Sequence, residues 1–327
     1  LIRLDKIKIV SSIDYIKIID KNRFDIHYKE NDIVSYKFTQ LQPFLLYVEA
    51  NIKNQELIIE FTGKILRDNY TSLINQSNIK NCLLSINEIG FCLLDVEDIL
   101  ISGEIVKVDV TQDVPYPDCG ELTKMIQANI SNFRKYLPRI INGNFTIEKN
   151  VVTKSYKCRL TVYDKNKELK RVENKLFLSQ LSDKQKFLNY FEGKVRFEMN
   201  LNSKEQIRKA LHITDLSFES VLSANVNPIW EFLDQILVDA DSTDITAKCD
   251  DLKELLRGAL LQVCDYDIKK VEAQLRLHSS PNTHISQTLK PFRELLKKIN
   301  NTPILPLKQT LQSLLLEIMI FFAAVAI

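Results

Sequence analysis

The sequence predicts an α+β fold: a mainly antiparallel sheet with packed helices over residues 1–212, followed by an all-helical region over residues 213–327. Two observations carry this. Through the first 210 residues, strand segments with alternating or β-branched apolar side chains predominate and two helical segments interrupt them, whereas after about residue 202 apolar residues recur at the helical spacing of three or four. A third observation narrows the class. The seven glycines, at 63, 90, 103, 120, 143, 193 and 258, never stand close enough to form a phosphate-cradling loop, so a glycine-loop nucleotide fold is not expected. Gly63-Lys64 lacks both the upstream glycine and the following Ser/Thr that a P-loop requires, and is read as structural.

In chain order, the alternation predicts strands at Ile2–Val10, Asp32–Tyr36, Phe44–Ile52, Leu57–Phe61 and Glu104–Val110, separated by turns carrying Asn and Asp. A helix is expected over Tyr70–Asn87. A second follows from Leu122, Ile126, Ile130, Phe133 and Leu137, with Pro138 ending the run. Strands return at Asn144–Lys149, Tyr156–Tyr163 and Lys194–Asn200. The remaining segments read as helices at Ser203–Leu211, Pro228–Ala240, Thr246–Leu261, Asp265–Leu277, Thr288–Lys298 and Leu307–Ile327, punctuated by Pro281 and Pro303.

A chain of 327 residues with 45% hydrophobic content can bury a core, which excludes wholesale disorder. Net charge is no argument for a polyanion partner, because 44 Lys+Arg against 42 Asp+Glu leave only +2. Its distribution is more informative. Lys154 to Lys209 holds 15 basic against 7 acidic residues, while Asp215 to Asp250 holds 8 acidic residues and one lysine. The basic stretch is either a solvated face or a phosphate-binding one. The acidic segment would repel DNA, so packing, dimerisation or helicase recruitment is expected of the helical region.

Six widely spaced cysteines, without a CxxC pair or a histidine cluster, argue against structural zinc and suggest free thiols in a cytoplasmic protein. The apolar run Leu314–Ile327, about 14 residues, falls short of the roughly 20 that span a bilayer, so no membrane partner is expected.

Three strands could carry chemistry. In Val106–Thr111 the three valines share one face and leave Lys107, Asp109 and Thr111 on the other. An aspartate between valines calls for exposure or a cation partner, since strands disfavour it. In Arg159–Lys165, Leu160 and Val162 point inward while Arg159, Thr161 and Tyr163 point outward. In Val195–Asn200 the outward set is Arg196, Glu198 and Asn200. If these strands are neighbours, one face gathers two carboxylates, a phenol and several cations. That set suits metal-assisted phosphoryl transfer, the carboxylates holding a hard divalent ion and the phenol oxygen attacking phosphorus.

The segments Ile58–Leu66 with Asn69, Val108-Asp109-Val110, Tyr163–Leu169 and Val195-Arg196-Phe197-Glu198, in this order, resemble the phage and plasmid rolling-circle replication initiators, the gene II/X-like and Rep-like nicking proteins. The resemblance spans roughly residues 1 to 210. It implies a Rep nickase-like fold and cleavage of one strand of origin DNA, single-stranded or in a hairpin, with Tyr163 retaining the 5′ phosphate. It further implies that Asp109 and Glu198 hold Mg2+ or Mn2+, and that Lys165 and Arg196 stabilise charge on the phosphate. Many relatives use a His-hydrophobic-His metal motif, absent here because His27, His212, His278 and His284 are dispersed. Any metal site must then be carboxylate-rich. Tyr156 and Tyr190 rank below Tyr163 as nucleophiles. The alternatives are a non-catalytic DNA-binding replication or plasmid-maintenance protein, and a structural protein with solvated charged faces.

Overall fold

A computed structural model describes residues 2–39, 44–130, 136–149, 158–237, 249–264, 266–280, 284–301, 307–308 and 310–315. The strands, in chain order, are β1 (Leu4–Ser12), β2 (Ile16–Ile18), β3 (Asp25–Lys29), β4 (Asp32–Phe38), β5 (Leu45–Asn51), β6 (Glu56–Thr62), β7 (Cys92–Leu94), β8 (Glu104–Pro115), β9 (Tyr136–Ile141), β10 (Asn144–Lys149), β11 (Arg159–Asp164) and β12 (Lys194–Leu201). The helices are α1 (Ile79–Asn87), α2 (Val96–Ser102), α3 (Cys119–Ala128), α4 (Lys165–Leu169), α5 (Lys175–Leu178), α6 (Lys184–Tyr190), α7 (Lys204–Leu211), α8 (Phe218–Leu222), α9 (Pro228–Ile236), α10 (Leu252–Val263), α11 (Ile268–His278) and α12 (Ile285–Asn301).

Ten strands form one antiparallel sheet in the order β3-β4-β5-β6-β1-β8-β12-β11-β10-β9, and β2 pairs with β7 apart from it. The sheet has two halves built on one plan. In each, an opening strand is followed by a four-strand meander whose last strand returns to pair with the opening one: β1 with β3–β6, and β8 with β9–β12. The opening strands β1 and β8 pair antiparallel at the centre, so the halves are related topologically by a rotation about that seam.

Side-chain alternation gives the sheet one apolar and one polar face. The apolar face, including Ile7, Ile59, Val108, Val162 and Phe197, is buried with residues of α1–α3 and α7–α9. At roughly 1.5–3 kcal/mol per buried large aliphatic or aromatic side chain, this core is the main source of stability. It continues without a break past residue 212, taking in Phe218, Leu222, Phe232, Ile236, Leu307 and Leu311. A second core, with Leu261, Val271, Leu289 and Phe292, joins α10, α11 and α12. The helical character expected after residue 212 is present; α8, α9 and the segment with Leu307, Leu311 and Leu315 pack into the core of the sheet, while α10–α12 share the second core.

On the polar face, a 3₁₀ segment Gly63–Ser72 and helices α4–α6 build a small aromatic cap around Tyr70, Leu169, Phe177, Phe187 and Phe191. Ring centroids there lie 5.2–6.1 Å apart in edge-on or tilted pairs.

Three expected elements differ. The helix anticipated over Tyr70–Asn87 is the 3₁₀ segment followed by α1, broken at Leu73 (φ 55°), whose carbonyl accepts from Asn78 Nδ2 at 2.7 Å. The run through Leu137 to Pro138 is not one helix. α3 ends at Ala128, and Leu137 and Pro138 belong to β9, an edge strand where a missing N–H is tolerated. Val106 does not share the face of Val108 and Val110. A register shift between Lys8 and Ile9 leaves it as a bulged residue between the Ile105 and Lys107 pairings. Tyr156, the start of its expected strand, and most of Leu314–Ile327 lie outside the described residues. Among the described residues, no helix is long and apolar enough to cross a membrane.

Candidate functional site

The three strands singled out from the sequence are neighbours, β8 pairing with β12 and β12 with β11. Their register arranges the polar side chains in rows. One row runs Lys6, Asp109, Asn200, Arg159, Glu148, each opposite the next. The next runs Thr111, Glu198, Thr161, Thr146, and a third runs Asp113, Arg196, Tyr163. Asp5 joins them through a bulge. The register shift between Leu4 and Lys6 leaves Asp5 unpaired, and its carboxylate lies 3.4 Å from Arg196 on the polar side.

At the centre, the Tyr163 hydroxyl donates to Glu198 Oε2 at 2.9 Å. Asn200 Nδ2 donates to Asp109 Oδ1 at 2.7 Å and reaches Glu198 Oε1 at 3.4 Å, while Arg159 Nε donates to Asn200 Oδ1 at 2.9 Å. Asn200 thus sits between the two acids, fixed from behind by Arg159. Burial, followed by the negative charges of Asp109 and Asp5, pushes the Glu198 carboxyl up to about 7. Asp109 is likewise raised, first by burial and then by Asp5, against the opposing pull of Lys6 and Asn200. Tyr163, 7% exposed, is held well above the ordinary phenol range by burial and by Glu198. The proton therefore rests on the phenol, and the neighbouring carboxylate is tuned to accept one near neutrality.

Beneath the cap lies a buried ionic network. Arg196, 0% exposed, donates from Nε and Nη2 to Asp113 at 2.6 and 2.7 Å and from Nη1 to the Tyr70 hydroxyl at 2.6 Å. Burial alone would lower its pKa, but Asp113, Tyr70 and Asp5 hold it well above the usual guanidinium value. Lys165, also buried, pairs with Glu168 at 2.7 Å, its ammonium 5.4 Å from the Tyr70 ring centre and 5.7 Å from that of Tyr163. Lys64 donates to Asn174 Oδ1 at 2.8 Å, and Asn174 Nδ2 donates to Glu168 Oε1 at 3.1 Å. Burial pushes Asp5 up, yet Lys165 and Arg196 together draw it below the usual carboxylate range. Among the described residues, its Oδ1 is buried with no hydrogen-bond partner.

The expected site residues divide accordingly. Tyr163, Glu198 and Asp109 share one polar patch. Lys165 and Arg196, anticipated as phosphate contacts, are covered by the aromatic cap and their donors are engaged by protein groups. Of the histidines, His27 lies on edge strand β3, and His212 ends α7 in a left-handed conformation with Nε2 3.0 Å from Glu231. Tyr190 is exposed, with the Lys194 ammonium 3.2 Å from its ring centre.

Among the described residues, no group of three or more His, Cys, Asp or Glu is placed to hold a metal ion. Asp109 and Glu198 offer two hard oxygen donors whose mutual repulsion a cation would relieve. Such a pair suits magnesium, which keeps several waters and is often held by one or two carboxylates.

Asp5, Tyr70 and Asp113 were not identified from the sequence. Asp113 was accessible by extending the alternation of Lys107, Asp109 and Thr111 by two residues. Asp5 depends on a bulge and Tyr70 on a tertiary contact, neither of which leaves a spacing signal.

No family model, curated protein or solved structure matches this chain.

Proposed function

We propose that this protein is a replication initiator that nicks one strand of origin DNA through Tyr163, starting rolling-circle replication of a phage or plasmid. The observation that carries this reading is the 2.9 Å hydrogen bond from the Tyr163 hydroxyl to Glu198, beside Asp109 on an otherwise polar sheet face. In the reaction Tyr163 Oη attacks phosphorus as its proton passes to Glu198 Oε2. The P–O3′ bond breaks, the 3′ oxygen takes up a proton, and the 5′ phosphoryl group stays on the phenol oxygen.

Glu198 can serve two ends because its oxygens face different neighbours, Oε2 towards Tyr163 and Oε1 towards Asn200. Asp109 and Glu198 Oε1 would hold Mg2+ or Mn2+, which supplies charge neutralisation at the phosphate oxygens. Arg196 favours the phenolate electrostatically, since its charge opposes the rise in the Tyr163 pKa. It and Lys165 act through the field and by positioning. Asn200, braced by Arg159, keeps the two carboxylates in register.

The burial of Tyr163 favours one second reading, a DNA-binding replication protein without cleavage activity. Purified protein incubated with supercoiled plasmid carrying the DNA around its own gene, with MgCl2 or MnCl2, separates the two. The nickase reading expects open circles with protein attached, lost in Tyr163→Phe. Binding without open circles supports the second reading.

A further inference from the structure

The polar face is not confined to the half that carries Tyr163. Across β8, β1, β6 and β5 it continues as a row of Lys107, Lys8, Glu60 and Tyr47, each opposite the next. Lys8 and Lys107 are therefore directly opposed like charges on paired strands, a destabilising arrangement in an isolated sheet. Glu60 answers it in part. Its Oε1 lies 3.1 Å from Lys6 and 3.4 Å from Lys107, and although burial pushes its carboxyl up, Lys6 and Lys107 hold it below the ordinary range. One buried carboxylate thus anchors two lysines at close range, with half-buried Lys8 adding to its field from farther off.

Beyond Glu60, the Tyr47 ring lies near two ammonium groups, Lys8 at 5.3 Å and Lys37 at 4.6 Å from its centre. Lys37 stands opposite both Glu49 and Asp25, so the surplus of positive charge on this face lies at the opposed pair Lys8 and Lys107. Lys6 stands opposite Asp109, which joins this basic surface to the site.

We infer that this face of β1, β5, β6 and β8 is the track on which single-stranded DNA lies as it enters the site, its phosphates on Lys6, Lys8 and Lys107 and a base stacked on Tyr47. The inference rests on the nickase reading. A cationic surface with an aromatic ring at its end has the chemistry of single-strand binding: phosphates meet ammonium groups and one exposed base meets a π-face. A duplex, whose bases are already stacked, has no use for the ring. Five strand steps separate β11 from β5, about 24 Å at the usual inter-strand spacing, so the track spans a few nucleotides.

The test uses the full chain carrying Tyr163→Phe, so that binding is read without cleavage, and a fluorescein-labelled oligothymidylate titrated at several salt concentrations. Adding Lys8→Gln and Lys107→Gln is expected to weaken binding about tenfold and to flatten the salt dependence by roughly 1.4 in log–log slope, the amount for two phosphate contacts on a single strand. Tyr47→Ala is expected to weaken binding about tenfold with the slope unchanged, a magnitude typical of one stacked base. Lys253→Gln with Lys269→Gln, on α10 and α11, should leave affinity unaltered, and thermal melts check that every variant folds. Unchanged affinity in the Lys8/Lys107 and Tyr47 variants overturns the track while leaving the nickase reading intact. Tighter binding of a duplex than of the single strand also overturns the track. No binding of any DNA at low salt overturns both readings.

Discussion

The hydroxyl of Tyr163 reaches Glu198 diagonally across two paired strands. Tyr163 stands opposite Arg196 and Glu198 opposite Thr161, yet the oxygens meet at 2.9 Å. A diagonal neighbour lies within reach of an aromatic side chain, and the outcome is an acid–base pair rather than a packing contact. Tyr163→Phe removes the nucleophile and one hydrogen bond while keeping the ring. Cleavage should be lost, DNA affinity kept, and the urea midpoint should move by the equivalent of about 1 kcal/mol.

The raised Glu198 carboxyl makes a pH prediction for the metal-free protein. Its folded value of about 7 exceeds the reference 4.5, so its contribution to stability is greatest below about pH 4.5 and is lost as pH rises through about 7. The loss is about 3 kcal/mol. Glu198→Gln keeps an acceptor for Tyr163 and cannot ionise. In EDTA, urea unfolding at pH 5 and pH 8.5 should show the variant gaining on the wild type at the higher pH by about 2 kcal/mol, even as cleavage disappears. Parallel pH profiles would remove the like-charge account of the site.

Arg196 is the keystone of the buried network, and its replacement should affect the fold before the chemistry. Arg196→Ala leaves Asp113 and Asp5 without their shared cation and should cost about 3–5 kcal/mol in chemical denaturation. Arg196→Lys retains the charge but cannot reproduce the paired contacts to Asp113 together with the bond to Tyr70, so an intermediate loss is expected. A variant as stable as the wild type would mean that the cap does not depend on this residue.

If Asp109 and Glu198 hold a divalent ion, MnCl2 should raise the melting temperature of the wild type, since a ligand that binds only the folded state stabilises it. Asp109→Asn should abolish the shift, and Asp113→Asn, whose carboxylate is committed to Arg196, should keep it. Thermal melts at matched ionic strength read both.

Alternation placed an aspartate, a glutamate and a tyrosine each on the side opposite apolar residues of its strand, but that β8, β12 and β11 are neighbours was a condition left open by the sequence and is supplied by the pairing. Alternation fixes a side chain's face but not its depth. Arg196 and Tyr163 therefore shared a predicted surface, and only the aromatic cap, assembled from Tyr70 and helices α4–α6 more than 90 positions apart, decides that Arg196 is sealed. The short helices α4 and α5, of five and four residues, are too brief for a helical period to register. Pro138 misled for the opposite reason, since the same residue that stops a helix is tolerated in an edge strand. The doubled plan of the sheet left no repeat in the sequence, because a shared strand order constrains hydrophobicity but not residue identity.

The most direct test of the central claim is the identity of the residue that becomes attached to DNA. Protein incubated with MnCl2 and supercoiled plasmid carrying the DNA around its own gene would be digested with nuclease and protease, and the nucleotide-bearing peptide sequenced by mass spectrometry. A 5′-linked nucleotide on Tyr163, absent from Tyr163→Phe and from Glu198→Gln, is the predicted result. A nucleotide on another residue, or open circles formed with no covalent adduct, would contradict it.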